Sequence, residues 1–193
     1  MRVQTSVVAL LAAVLGAAPL AGQADGSPHL VVGGSVSVGS VAERCDGCTG
    51  PRLPDFSGFG WQGQVGYAVS SRFRLGVEGT WWTGDHLGVD RRLALVSLIA
   101  TWYPLGRLTG FFLDGGAGYE DYKEESGPAT QKATGVALQA GLGYRLPITR
   151  SISAVPFIRG LVSTGVSTAV DGSPTVESLS PSLLRFGLGV QWR

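Results

Sequence analysis

The chain is poor in the residues from which catalytic and metal centres are usually built: 2 cysteines, 2 histidines and 1 methionine in 193 residues. Charge is scarce too, at 15% of residues, and balanced, with 15 basic against 14 acidic side chains and a formal net charge of +1. With no basic excess and no basic stripe, nucleic acid is not an expected partner. Past the first two dozen residues there is no continuous apolar run of about 18 residues, so no membrane-spanning helix is expected there. Glycine is plentiful, 30 residues, but has no G-X-Y period, which excludes collagen.

At the N-terminus, Arg2 precedes "VVALLAAVLGAAPL", an apolar run of signal-peptide length, and the small residues of "AGQA" follow. The expected signal peptide is 1–24, leaving 25–193 as one exported domain. No cysteine stands at the cleavage point, so no lipoprotein anchor is expected.

The rest of the chain alternates with period two. In "SGFGWQGQVGYAV", Phe59, Trp61, Val65, Tyr67 and Val69 fall on one side, with glycines, Gln62 and Gln64 on the other. "RFRLGVEGTWW" sets Phe73, Leu75, Val77 and Trp81 against Arg74, Gly76 and Glu78, and "GFFLDGGAGYE" sets Phe111, Leu113, Ala117 and Tyr119 against Asp114, Gly116, Gly118 and Glu120. Val136, Leu138, Leu142 and Tyr144 oppose Gln139, Gly141, Gly143 and Arg145, and Leu30, Val32, Val36 and Val38 oppose Gly33, Ser35, Ser37 and Gly39. Eight strands are expected, over 29–42, 57–69, 72–83, 91–103, 109–121, 133–146, 152–165 and 182–193. Strands 91–103 and 152–165 alternate poorly. Short connections ("SS", "PLGRL", "PITRS") take turns with longer polar stretches such as "AERCDGCTGPRLPD" and "KEESGPATQK", which read as loops.

The two faces decide between water and lipid. A soluble barrel keeps its bulky apolar residues inside. Here the second face is glycine, Gln, Arg, Glu and Asp, which fits an eight-stranded interior just wide enough for side chains. The Leu, Val, Phe and Trp face then points outward, which only a bilayer tolerates, and a bilayer demands a closed barrel. Spans of about 9–11 residues with aromatics near both ends agree. The expected fold is an all-β, eight-stranded antiparallel up-and-down transmembrane β-barrel, integral to the outer membrane, with both termini periplasmic and four loops outside.

The last segment, "LLRFGLGVQWR", resembles the C-terminal strand of bacterial outer-membrane β-barrels, and the whole pattern resembles the small OmpA-like, OmpX-like group. The resemblance implies that Leu184, Phe186, Leu188, Val190 and Trp192 form the signal read by the outer-membrane assembly machinery. The family usually ends on the aromatic; here Arg193 follows. No peptidoglycan-binding domain is expected.

The inward polar residues Gln62, Gln64, Arg74, Glu78, Asp114, Glu120, Gln139, Arg145, Arg185 and Gln191 are expected to form an ion-pair network that plugs the lumen, because buried charges must pair. Arg159 is expected to join them. It shares parity with Val155, Phe157 and Leu161, but an Arg on the lipid face at mid-membrane costs roughly 2–4 kcal/mol. It should therefore point inward, toward Glu78 or Asp114, and bring Phe157 into the lumen.

No cofactor, metal or catalytic residue is assigned. His29 and His86 read as solvated surface residues; His86 lies beside Asp85 and near Asp90, with no close serine, which argues against the Ser–His–acid arrangement of lipid-modifying barrels. The expected role is a structural or surface-interaction barrel, with outer-membrane lipid around it, an extracellular partner on its loops, and a monomeric state. A narrow channel or hydrophobic-ligand conduit and a lipid-modifying enzyme are the alternatives.

"RCDGCTG" places Cys45 and Cys48 around an Asp46-Gly47 turn in an exported chain, which reads as a disulfide. A redox site would want a helix N-terminus, and a metal site with Asp85 and His86 would want a second paired ligand motif. The expected result is that neither cysteine is alkylated when unreduced protein is denatured. Labelling of both refutes the disulfide, and labelling only after a chelator indicates metal.

Overall fold

The computed structural model of the protein describes residues 29–46, 56–86, 89–105, 110–127, 129–170, 173–174 and 178–193. Cys48 lies outside them, and neither the Cys45 nor the His86 side chain is among what is described.

Eight long strands follow one another: β1 (Leu30–Asp46), β2 (Phe56–Ala68), β3 (Phe73–His86), β4 (Val89–Trp102), β5 (Gly110–Ser126), β6 (Ala129–Pro147), β7 (Ile152–Val170) and, after a two-residue strand β8 (Ser173–Pro174) paired to the end of β7, β9 (Ser178–Trp192). Each long strand pairs antiparallel with the next, and β9 pairs with both β7 and β1, so the sheet closes. One row of hydrogen-bonded neighbours runs Leu30, Tyr67, Leu75, Ala100, Gly115, Ala140, Gly160, Leu184 and returns to β1 at Ser40, ten residues further along. That stagger is the strand tilt a closed barrel requires.

One end carries the turns at 69–72 and 148–151 and residues 103–105, together with His29 and Arg193. Ala68 N donates to His29 O at 2.9 Å and Arg193 N to Ser151 O at 3.1 Å. Thr149 Oγ1 accepts from the backbone N of Ser151 and Ile152 and pins the β6–β7 turn. At the other end, here the loop end, strands run further than the sequence suggests. β3 and β4 pair up to His86–Val89 and β5 and β6 up to Ser126–Ala129, so "TGDHLG" and "KEESGPATQK" are largely strand rather than loop. Their charges hid the alternation, because these residues stand beyond the apolar belt and both faces can be polar.

The outer wall is that belt. Leu98, Val38, Leu188 and Val190 are more than half exposed. Exposed Tyr67, Phe73, Trp102, Tyr144 and Trp192 ring the turn side, and Phe59, Trp61, Trp81 and Tyr119 the loop side. From Phe73 to Trp81 is nine residues along β3, the length of a bilayer-crossing strand at about 9–11.

The lumen is filled, and it departs from a uniformly polar interior. Trp82, Leu93, Leu95, Tyr122, Leu161 and Leu183 pack as one apolar cluster in its loop-end half. Tyr103, Phe112 and Val155 form a second cluster near the turns, with the Tyr103 and Phe112 rings 5.7 Å apart. This explains the poor alternation of β4 and β7: Leu93, Leu95, Val155, Phe157 and Leu161 face inward and blur the contrast with their lipid-facing neighbours.

Inward glycines make room for these rings. A Cβ on Gly84 would sit 2.6 Å from the Trp82 ring, and one on Gly187 would overlap the Phe157 ring and approach Val36 O at 2.6 Å. Gly187→Ala is therefore expected to cost about 1–3 kcal/mol, the range for overpacking a filled core, in a urea titration of the barrel in lipid vesicles; an unchanged midpoint contradicts the packing role.

Candidate functional site

The chemistry of the barrel is concentrated at mid-height, where β3, β5, β7 and β9 each send a charged side chain into the lumen. Asp114 on β5 and Arg159 on β7 both stand opposite Gly141 of β6. With no side chain between them they meet: a Cβ on Gly141 would lie 2.9 Å from both Arg159 Cγ and Asp114 Oδ1. Arg159 Nε donates to Asp114 Oδ1 at 3.1 Å and Nη2 to Oδ2, a two-pronged pair. The remaining prong reaches across the barrel, Nη1 lying 2.7 and 2.6 Å from the two Glu78 oxygens. The guanidinium also lies 5.4 Å from the centre of the Phe157 ring.

Arg185 stands directly opposite Arg159 in the β7–β9 register, a like-charge pairing that needs compensation. Its Nη2 donates to Glu78 Oε1 at 3.2 Å and to Gln139 Oε1 at 3.3 Å, and its Nη1 to Thr80 Oγ1 at 3.0 Å. Gln139 Nε2 in turn donates to Ser97 Oγ at 2.7 Å. Two guanidinium groups and two carboxylates make a neutral foursome, with Arg159, Arg185, Glu78 and Asp114 all at most 8% exposed.

The other inward polar residues form separate groups rather than one network. Nearer the turns, Arg74 donates to Gln191 Oε1 at 3.0 Å and Thr101 Oγ1 at 3.2 Å, and Arg145 donates to Ser153 Oγ at 3.1 Å. Gln62 is buried and Gln64 half-buried; both line a cavity of about 10 Å³ on the turn side of the ion cluster, with Arg74, Phe112, Phe157 and Gln191. That volume is room for one water at most. Glu120 is fully buried, but among the described residues it makes no ion pair; it stands beside Leu95 in the apolar loop-end layer, on the loop side of Arg159 and Arg185. The sequence reading missed a further inward pair, Arg91 Nε to Glu124 Oε2 at 3.0 Å, and missed Trp82 and Tyr122 as lumen residues. Their parity within β3, β4 and β5 was the available signal. Leu184, Phe186, Leu188, Val190 and Trp192 line the lipid face of β9. Among the described residues no group of His, Cys, Asp and Glu is arranged to hold a metal.

A closed eight-stranded barrel with an apolar belt, two aromatic rings and a filled lumen defines a membrane-spanning β-barrel. The chain belongs to the outer membrane protein beta-barrel domain family, whose family model matches residues 7–155, and it is integral to the bacterial outer membrane. Neisserial surface protein A is similar in structure, with TM-score 0.57 and 13% identity over 86% of this chain and 98% of that one. Ail, the attachment invasion locus protein of Yersinia pestis, is similar with TM-score 0.51 and 15% identity over 84% and 98%. At these identities the likeness is one of fold. No curated protein matches the sequence.

Arg159→Leu leaves Glu78 with one cation and Asp114 with none. Removing one partner of a buried pair costs about 3–5 kcal/mol, and that loss is the expected shift in a urea titration in vesicles. A neutral or stabilising effect contradicts the arrangement.

Proposed function

We propose that the protein is a non-enzymatic, non-conducting barrel of the outer membrane that acts through its loop end, which stands outside the cell while the turns and both termini face the periplasm. The observation that carries this reading is the way the lumen is filled. The neutral foursome crosses it at mid-height, apolar clusters pack above and below, and the cavity on the turn side of the ions has a volume of only about 10 Å³. Open channels are built from about 16 strands, and among the described residues the eight-stranded lumen is occupied by inward side chains.

The charged groups inside are bonded mainly to one another, which leaves them structural duties. The material available to a partner is the strand extension past the loop-side aromatic ring, where exposed Asp85, Asp90, Arg92, Asp121 and Lys132 follow the apolar belt. Two barrels of this fold are by name a surface protein and an attachment invasion locus protein; a surface-interaction role is of that kind, by analogy of fold.

Planar-bilayer recording is the test. The expected result is no stepwise conductance from the wild-type barrel and its appearance when Arg159 and Phe157 are both cut to Ala. Steady conductance by the wild type supports the narrow-channel alternative instead.

A further inference from the structure

The two ends of the barrel differ in charge. At the loop end acids and bases alternate, but the turn end is basic. Among the described residues it carries Arg72, Arg74, Arg145, Arg150 and Arg193 and no carboxylate. The first carboxylates above it, Asp114 and Glu78, are taken by Arg159 and Arg185. Outside the described residues, Asp25 is the one acid close in sequence to this end, and the connection after β4 adds Arg107. An α-carboxylate on Arg193 offsets one more cation. With all of these counted, positive charge is still in excess.

Two of the cations are held together at the corner where β6, β7 and β9 meet. Arg193 N donates to Ser151 O and Arg193 Nε to Arg150 O, both at 3.1 Å, so the Arg193 side chain lies along the turn that presents Arg150. Both arginines are exposed, and neither makes an ion pair with a described residue. Arg145 is buried in the same corner, within reach of the Arg193 charge. On the lipid side of this corner Leu146, Ile148, Ile152 and Trp192 are exposed, with Ile152 directly opposite Trp192. Ile148 stands in the turn itself, past Tyr144 and two residues from Arg150. Cations and exposed apolar side chains at one level match a lipid headgroup layer, where an apolar body is buried and a charged tip meets phosphate.

We propose that this corner binds one anionic phospholipid, with its phosphate between Arg150 and Arg193 and its chains against Leu146, Ile148, Ile152 and Trp192. A zwitterionic lipid fits less well. Its cationic headgroup finds no carboxylate among the described residues here and meets the arginines instead. The orientation proposed above makes this the periplasmic leaflet, but binding itself is independent of orientation, of conductance and of what the loop end does.

The full barrel is reconstituted in phosphatidylcholine vesicles doped with phosphatidylglycerol and extracted in mild detergent, and retained lipid is counted by mass spectrometry. Heat-shifted gel mobility checks that each variant is folded. Wild type is expected to retain phosphatidylglycerol over phosphatidylcholine. Arg150→Gln with Arg193→Gln should lose that preference by about tenfold or more, since each cation near an anionic lipid surface contributes. Arg150→Lys with Arg193→Lys should keep most of it. Ile148→Ser with Ile152→Ser should lower phosphatidylglycerol retention severalfold. A phosphatidylglycerol carrying a photoreactive group beside its headgroup should label residues 146–152 or 192–193 of the wild type. Undiminished preference in the glutamine variant overturns the phosphate contact, and undiminished retention in the serine variant overturns the seat for the chains. Labelling confined to the loop end overturns the location, and full displacement by inorganic phosphate overturns a lipid as the occupant.

Discussion

An arginine at the centre of a bilayer has to be compensated, and the compensation of Arg159 organises the barrel. Its guanidinium takes both oxygens of Asp114 over a glycine and reaches across the lumen to Glu78. Glu78 also receives Arg185, whose position beside Arg159 would otherwise be repulsive. Neither arginine is tolerable without the carboxylates, and neither carboxylate without the arginines, because buried charges cost several kcal/mol each when unpaired. Side chains from four of the eight long strands are fixed to one another in this way. The hydrogen-bonded wall closes the barrel; the foursome fixes what stands inside it.

Packing then follows from the space left over. Phe157 lies against the Arg159 guanidinium, and Gly187 is bare because the ring occupies its place. Above the ions the lumen turns apolar, so the interior is layered rather than wet. This layering fills the described part of the lumen with side chains of the strands themselves.

How much of this was legible in the sequence depended on the contrast between faces. β2, β3, β5, β6 and β9 alternate plainly because their inward positions at membrane depth are glycine or polar. β4 and β7 do not, because Leu93, Leu95, Val155 and Leu161 belong to inner apolar layers that resemble the lipid face. The charged ends of β3 through β6 read as loops because, outside the membrane, neither face needs to be apolar. The inward direction of Arg159 could be argued from the cost of the alternative, whereas the division of the polar residues into separate groups could not, since it depends on heights set by the ten-residue stagger of the barrel. The isolation of Glu120 is the clearest example: its parity matches Asp114, but it stands in a different layer.

The central claim, that Arg159 and Asp114 compensate each other inside the closed barrel, is tested most directly by a double-mutant cycle. Arg159→Met, Asp114→Asn and the pair together are compared by urea titration in lipid vesicles. If the account is right, the double variant is less destabilised than the two single losses combined, by about 1 kcal/mol or more. Losses that add to within about 0.3–0.5 kcal/mol, the behaviour of independent sites, contradict it.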